Sequence, residues 1–418
     1  MKGKHQVRKS SKPAAHPATT AGKTTASALA DLDFQDTALA FVDKTDTALR
    51  KAVWLFRLMN NPLLVQAGAA AGMVASRLHI PVVDKLIRDT IFEQFCGGTT
   101  LLGSSDTILR LHRHGVQTVL DYGAEGKSTE TDFNFTMNEN IRAIEFSSQI
   151  CGISTISTKV TGLARFALLE KVSSGELLSQ QEKDEFHNVV KRLDHICNSA
   201  QKAGVRLFID AEESWIQPAI DKLANHMMKR YNRGRVVVYN TFQLYRTDRL
   251  AFLMESHDKA KAGGYWLGAK LVRGAYLDKE RARAQAMGYP SPIQPTKTAT
   301  DEDFNMALRF CVDNHQYIAC CNASHNAESN YLLANLVRRK GIPPNHPHIL
   351  FSQLYGMSDN ITFNLAAAGF NASKYVVYGQ VHEVIPYLIR RTRENTSVTG
   401  DLSRELQLLL TEMRRRGL

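Results

Sequence analysis

Val205-Arg206-Leu207-Phe208-Ile209-Asp210-Ala211-Glu212-Glu213 is a short apolar run that ends on acids, and the chain around it repeats the pattern. A helical stretch, Ile216–Tyr231, follows it, and a second β-branched run, Val236–Tyr239, comes next. Strand, helix, strand at this spacing is a parallel βαβ unit. Working outward, the same kind of run recurs at Val116–Leu120, Ile153–Val160, Trp266–Val272, Tyr317–Ala323, Ile349–Phe351 and Tyr375–Tyr378. Helical stretches at Asp184–Ala203, Asp303–Asn314 and Ala327–Lys340 alternate with them. Eight such runs are what a closed (βα)8 TIM-like barrel needs, and an open doubly wound sheet is the alternative. No GxGxxG string occurs, so a Rossmann-type dinucleotide fold is unsupported.

The barrel reading makes a sharp expectation, because chemistry in such folds sits where strands end. The residues at those ends are Asp121, Lys159, Asp210, Asn240, Arg273, Gln353 and Tyr378, all polar. An acid such as Asp210 lies where barrel chemistry happens, and could equally cap the next helix. Lys159 has three possible roles: a Schiff-base amine, a fixed cation for an anionic ligand, or a snorkelling surface lysine. Gly268-Ala-Lys270-Leu-Val-Arg273-Gly274-Ala-Tyr276 brings two cations to a strand end, with Gly274 permitting close backbone approach. Ser324-His325-Asn326 follows another strand, as a helix cap or as ligand contacts.

Val384-Ile-Pro-Tyr387-Leu-Ile-Arg390-Arg391-Thr-Arg-Glu394-Asn395 has helical spacing. Tyr387, Arg390, Arg391 and Glu394 stand at i, i+3, i+4 and i+7, so they share one face. Two guanidiniums beside a phenol make a planar fork for a carboxylate. A solvated helix face with Arg390 and Glu394 as an ion pair is the plainer alternative.

The 418 residues are 44% hydrophobic and 22% charged, enough apolar material for a large core. Net charge is +11, of which residues 1–30 supply +6 with no acid, leaving +5 on the remainder. That mild excess suits an anionic ligand or an acidic membrane surface and does not demand nucleic acid. The six cysteines form no CxxC pair, which supports neither zinc nor a disulfide framework, and no metal site is expected. Most of them read as small buried hydrophobes, in a reducing compartment.

Residues 1–33 read as a disordered basic tail, open between transit peptide, expression tag and native extension. Residues 34–105 read as N-terminal helices, punctuated by Asn61-Pro62 and Ile80-Pro81, and 106–400 as the barrel. Residues 401–418 read as a basic amphipathic helix, whose stretch Leu402–Arg416 is the candidate for membrane contact.

Taken together, Asp210-Ala-Glu-Glu, Gly268–Tyr276, Ala323-Ser-His-Asn326, Gln353-Leu-Tyr-Gly-Met357 and Tyr387–Asn395 resemble the proline dehydrogenase family, in its monofunctional mitochondrial-type form. The resemblance runs from about Phe34 to about Asn395. It implies a distorted (βα)8 barrel with FAD at the strand ends and a final helix over the mouth. It also implies oxidation of L-proline to 1-pyrroline-5-carboxylate, with electrons passed to a quinone. On that resemblance Arg390 and Arg391 grip the carboxylate with help from Lys159, while Tyr276, Tyr375 and Tyr387 pack the ring and Asp210 orients this shell. Lys270 approaches the flavin, and Asn240, Arg273, Gly274, Ser324, His325, Asn326, Gln353, Arg391 and Glu394 hold the cofactor. Many relatives carry arginine at the Lys270 position, so flavin tuning differs. The Tyr375-Val-Val-Tyr378-Gly379 turn lacks the proline often found there. Tyr375 favours proline over 4-hydroxyproline, which is the alternative substrate within the family.

Outside the family the alternatives are a Schiff-base lyase using Lys159, and a binding protein whose basic tail and Arg414–Arg416 grip RNA or acidic lipid. A peripheral membrane association follows from the quinone. It is cytoplasmic in a bacterium, and on the matrix face of the inner membrane in a mitochondrion.

Overall fold

The computed structural model describes residues 32–61, 85–123, 128–396 and 401–418, and of 393–396 and 401–403 the backbone alone. The tail through Asp31, Pro62 and the Ile80-Pro81 punctuation lie outside the described residues.

Nine parallel strands are described: β1 (Cys96–Gly98), β2 (Gln117–Tyr122), β3 (Ile153–Lys159), β4 (Arg206–Asp210), β5 (Val238–Gln243), β6 (Leu267–Val272), β7 (Ile318–Ala323), β8 (Ile349–Leu354) and β9 (Ala372–Tyr378). Strands β2 to β9 pair in sequence order, and β9 pairs back onto β2, so the sheet closes into an eight-stranded barrel. Closure removes every edge but one stretch of β9, which the short β1 covers through Cys96–Val377 and Gly98–Tyr378. The Cys-Gly-Gly of β1 has no alternation to announce it. All eight β-branched runs of the sequence became barrel strands. The expected helices are present as Gln180–Ala203, Gln217–Tyr231, Lys297–Asp313 and Ala327–Arg339.

Two apolar cores result from the period of two along each strand. Leu207 and Ile209 of β4, Val238 and Phe242 of β5, and Leu267, Ala269 and Leu271 of β6 face the surrounding helices. Their neighbours Phe208, Tyr239, Ala319, Cys321, Leu350, Tyr375 and Val377 join a second cluster. Cys320 and Cys321 therefore fall into different cores, and both are buried. Inside the barrel Phe208 and Tyr239 meet edge to face at 5.1 Å. A Cβ at Gly268 would stand 2.9 Å from the Tyr239 ring and 2.2 Å from the Val238 carbonyl oxygen, so only glycine fits there.

The second core continues into the terminal helices. Leu49, Val53 and Phe56 of helix Asp46–Met59 share it with Val384, Tyr387 and Leu388 of helix Val381–Thr396 and with Leu408 and Leu409 of helix Asp401–Arg416. This corrects the assignment of Leu402–Arg416 as a membrane contact. Leu406, Leu408, Leu409, Leu410 and Met413 pack against the protein's own core, so that apolar face is already covered. Arg416 donates to the carbonyls of Phe41 and Lys44, binding the C-terminal turn to the N-terminal segment. No helix among the described residues is long and apolar enough to cross a membrane.

Candidate active site

The C-terminal ends of the barrel strands surround a cavity of about 480 Å³, within the range of small-molecule sites. Strand parity decides what enters it. Asp121, Lys159, Asp210, Thr241, Gln243, Lys270, Ser352 and Tyr375 line it from within the barrel. Helix Val381–Thr396 closes it, contributing Tyr387, Arg390 and Arg391. That helix is pinned at its start by Tyr122, whose hydroxyl lies 3.1 Å from the Glu383 carboxylate.

At the centre, Asp210 has both oxygens engaged: Lys270 Nζ donates to Oδ1 at 2.6 Å and Tyr375 Oη donates to Oδ2 at 2.8 Å. Burial pushes this carboxyl up, but Lys270, Lys159 and the Tyr375 hydroxyl outweigh it and hold Asp210 below the usual carboxylate range. An ionised acid so occupied orients its neighbours and is not placed to take a proton. Lys270 also lies 4.9 Å from the Tyr375 ring centroid and 5.3 Å from that of Phe208. The Tyr375 hydroxyl is also 3.2 Å from Ser157 Oγ, and burial raises its own pKa.

Asp121 contrasts with Asp210. Burial pushes it up to about 6, with Asp210 adding to the shift and Lys159, 3.7 Å away, opposing it. The two acids thus have different protonation behaviour a short distance apart. On the closing helix, Arg391 is buried at 6% exposure, its guanidinium carbon 5.2 Å from the Tyr387 ring centroid. The plainer alternative of a solvated face fails for Arg391 and Tyr387, since both are buried and line the cavity.

The other end of the cavity is built around the start of helix Ala327–Arg339. Arg273 donates to Ser324 Oγ at 2.6 Å and Ser329 Oγ at 3.0 Å and pairs with Asp301. Asn326 caps the helix by accepting from the Ser329 amide. Lys297, which also pairs with Asp301, reaches the same cavity. A helix N-terminus with its flanking cations suits phosphate oxygens. His325 is held neutral, its pKa lowered to about 3 by burial and then by Lys374, Arg391 and Arg273. Gln353 braces this end, donating to the Ser324 carbonyl while accepting from Thr362. Gly274 has φ +142°, and a Cβ there would meet the Tyr245 ring at 2.4 Å, so the turn after β6 requires glycine.

Of the residues expected from sequence, Lys159, Asp210, Lys270, Arg273, Gly274, Tyr276, Ser324, His325, Asn326, Gln353, Tyr375, Tyr387, Arg390 and Arg391 all line this one cavity. Asn240 does not, and its assignment to the cofactor is corrected. It points outward between barrel and helix, donating to Asp221 Oδ1 at 2.8 Å. The strand runs on to Gln243, and Thr241 and Gln243 take the inward positions. Counting by twos from Tyr239 would have found them. Tyr378 likewise packs in the outer core against Tyr122. The side chain of Glu394 lies outside the described residues. Asp121, expected at a strand end, lines the cavity too, and so does Lys297, which the sequence did not single out because it sits at a helix start, where no strand-end rule points.

The residues fit a flavin dinucleotide by the chemistry of the donor set. The lining has six lysines and arginines against two acids, together with tyrosine and aliphatic surface. That suits a flat ring with an anionic diphosphate, next to a small anion.

Comparison with known proteins then gives a family, two relatives and a solved structure. A family description, "Proline dehydrogenase", matches residues 104–404. The mitochondrial proline dehydrogenase 1 of Drosophila melanogaster is 40% identical over 57% of this chain and 37% of its own length. The carbapenem antibiotics biosynthesis protein CarD of Pectobacterium carotovorum subsp. carotovorum is 33% identical over 77% of this chain and 83% of its own. Among solved structures, proline utilization A from Bdellovibrio bacteriovorus, inactivated by N-propargylglycine, superposes with a TM-score of 0.68 at 18% identity. That match covers 91% of this chain and 40% of that one, and it carries the fold. The chain thus spans well under half of the Drosophila relative and of this structural neighbour.

Proposed function

This chain belongs to the proline dehydrogenase family, and from there we propose that it oxidises L-proline to 1-pyrroline-5-carboxylate using FAD. The observation that carries the reading is the buried pair of Tyr387 and Arg391 on the closing helix, facing Lys159, Asp210 and Tyr375 across one cavity.

In this reading Arg390 and Arg391 bind the carboxylate of proline by charge-assisted hydrogen bonds, and Lys159, steadied by Asp121, adds a third cation. Asp210 locks Lys270 and Tyr375 in place, so the wall against the pyrrolidine ring is rigid before substrate arrives. Tyr276 and Tyr387 supply apolar surface to the ring and exclude water. Arg273, Lys297, Ser324, His325, Asn326 and Gln353 would hold the dinucleotide. Bound FAD supplies the hydride acceptor that no side chain here can provide. Burial raises the Asp121 pKa to about 6, so its pairing with Lys159 is the part of this grip that depends on pH. Lys159 beside a carboxylate suits a fixed cation better than a Schiff-base amine.

The electrons go on to a quinone, which makes the protein a peripheral membrane enzyme. Curated relatives are named mitochondrial, which supports the same compartment here. Tyr375 is held by its hydroxyl bonds to Asp210 and Ser157 and lines the cavity, so it would crowd a 4-hydroxyl on a ring packed against it, which supports proline over 4-hydroxyproline. The test is turnover of L-proline by the FAD-loaded chain with a quinone or dye acceptor, reading 1-pyrroline-5-carboxylate. Loaded protein that forms none, or that prefers trans-4-hydroxy-L-proline, contradicts the assignment.

A further inference from the structure

Ser358 is the one non-glycine residue with positive φ among the described residues, at φ 51° and ψ 43°. A β-substituted side chain holds that conformation only where its surroundings enforce it. Two contacts do so here. The Ser358 amide donates to Glu405 Oε1 at 2.5 Å, and its hydroxyl lies 2.8 Å from His325 Nδ1. His325 lines the cavity, whereas Glu405 belongs to helix Asp401–Arg416, which packs against helix Asp46–Met59 and contributes no described residue to the cavity lining. The next residue, Asp359, is fixed by Lys374 at 2.7 Å and by Lys44 at 3.0 Å. Glu405 and Lys44 both lie outside residues 104–404, the stretch that matches the family.

The geometry points to Glu405 as a positioning residue for the cofactor end of the cavity. By holding the Ser358 amide it fixes the hydroxyl against His325 Nδ1, and so sets the orientation in which the imidazole meets a bound flavin dinucleotide. This rests on the reading of the cavity as an FAD site.

Three features favour a link over mere packing. His325 is neutral, so with Nδ1 committed to Ser358 only Nε2 is left for a ligand, and the ring's rotation is decided by Ser358. Ser358 is shared, so loosening its amide frees the strained φ and the hydroxyl moves with it. Glu405 is also a costly residue to bury. Burial and Asp359 push its pKa up to about 7 against the pull of the Ser358 amide and Lys374, yet apolar Leu408 and Leu409 stand one turn further along the same helix. A helix that needed only packing would have no use for an acid there.

The test is titration of the full-length, flavin-stripped chain with FAD, following quenching of flavin fluorescence. It is run on the unsubstituted chain, Glu405→Ala, His325→Ala, the double variant and Glu405→Gln. Glu405→Ala and His325→Ala should each weaken FAD binding roughly tenfold, and the double variant should be no weaker than His325→Ala alone, because both act through one imidazole. Glu405→Gln keeps an acceptor for the Ser358 amide and should stay within about threefold of the unsubstituted chain. Losses that multiply in the double variant, or Glu405→Ala within about twofold of the unsubstituted chain, overturn the inference. Should Glu405→Ala fail to fold, Ser358→Ala deletes only the hydroxyl and should give the same loss as His325→Ala; unchanged affinity overturns it. An unsubstituted chain that takes up no FAD instead fails the reading of the cavity itself.

Discussion

Arg391 is the side chain to test first, because its guanidinium is buried on the closing helix and lines the cavity. Replacing it by methionine keeps the bulk and apolar stem while removing the charge. Arg391→Met should raise the apparent KM for L-proline roughly tenfold or more, the loss of one or two charge-assisted bonds. Near-normal saturation in steady-state assays would contradict its role. Glu212 poses a different question at the same scale. Its carboxylate accepts from the Thr161 amide and hydroxyl, and burial nonetheless pushes its pKa up to about 7. A raised pKa means the stability it contributes is complete below the ordinary value of 4.5 and is lost as pH rises through about 7. Glu212→Gln should therefore stabilise the fold by about 1–3 kcal/mol at pH 8, with the gain fading toward pH 4. Denaturant melts at the two pH values check this; a gain that is larger in acid would contradict it.

At the scale of the element, alternation along a strand separates residues that serve the site from residues that serve the wall. Asn240 and Thr241 are adjacent in β5, yet Thr241 lines the cavity and Asn240 anchors Asp221 of helix Gln217–Tyr231. Asn240→Ala should cost about 1–2 kcal/mol of stability. It should leave the KM for proline and the affinity for FAD within about twofold, since Asp221 keeps its bonds to Gln217 and Arg249. A large loss of FAD affinity at unchanged stability would place Asn240 in the site after all. This is also where the sequence was hardest to read. All eight barrel strands were legible because each is a β-branched run between helical stretches. The end of β5 was not, because Asn240-Thr-Phe-Gln243 continues the strand through polar residues. The placement of Arg390 and Arg391 was legible from helical spacing, but their burial was not, since spacing alone cannot say which face meets the barrel. The role of helix Asp401–Arg416 was misread for a related reason. An amphipathic pattern announces an apolar face without naming its partner, and here the partner is the N-terminal helix.

Over the whole molecule the barrel supplies rigidity and the terminal segments supply closure. Helix Val381–Thr396 brings the guanidinium pair to the mouth, and the segments on either side of it are bound to one another through Arg416. On the proposed reading, the cavity so formed would join a cationic grip for a small carboxylate to a helix-start cradle for phosphates, the pairing that flavin-linked amino-acid oxidation needs. The most direct measurement is the visible spectrum of the FAD-loaded protein without oxygen, before and after L-proline. Yellow protein whose flavin absorption bleaches on adding L-proline is expected. Protein that takes up no flavin, or whose colour persists at saturating L-proline, would contradict it.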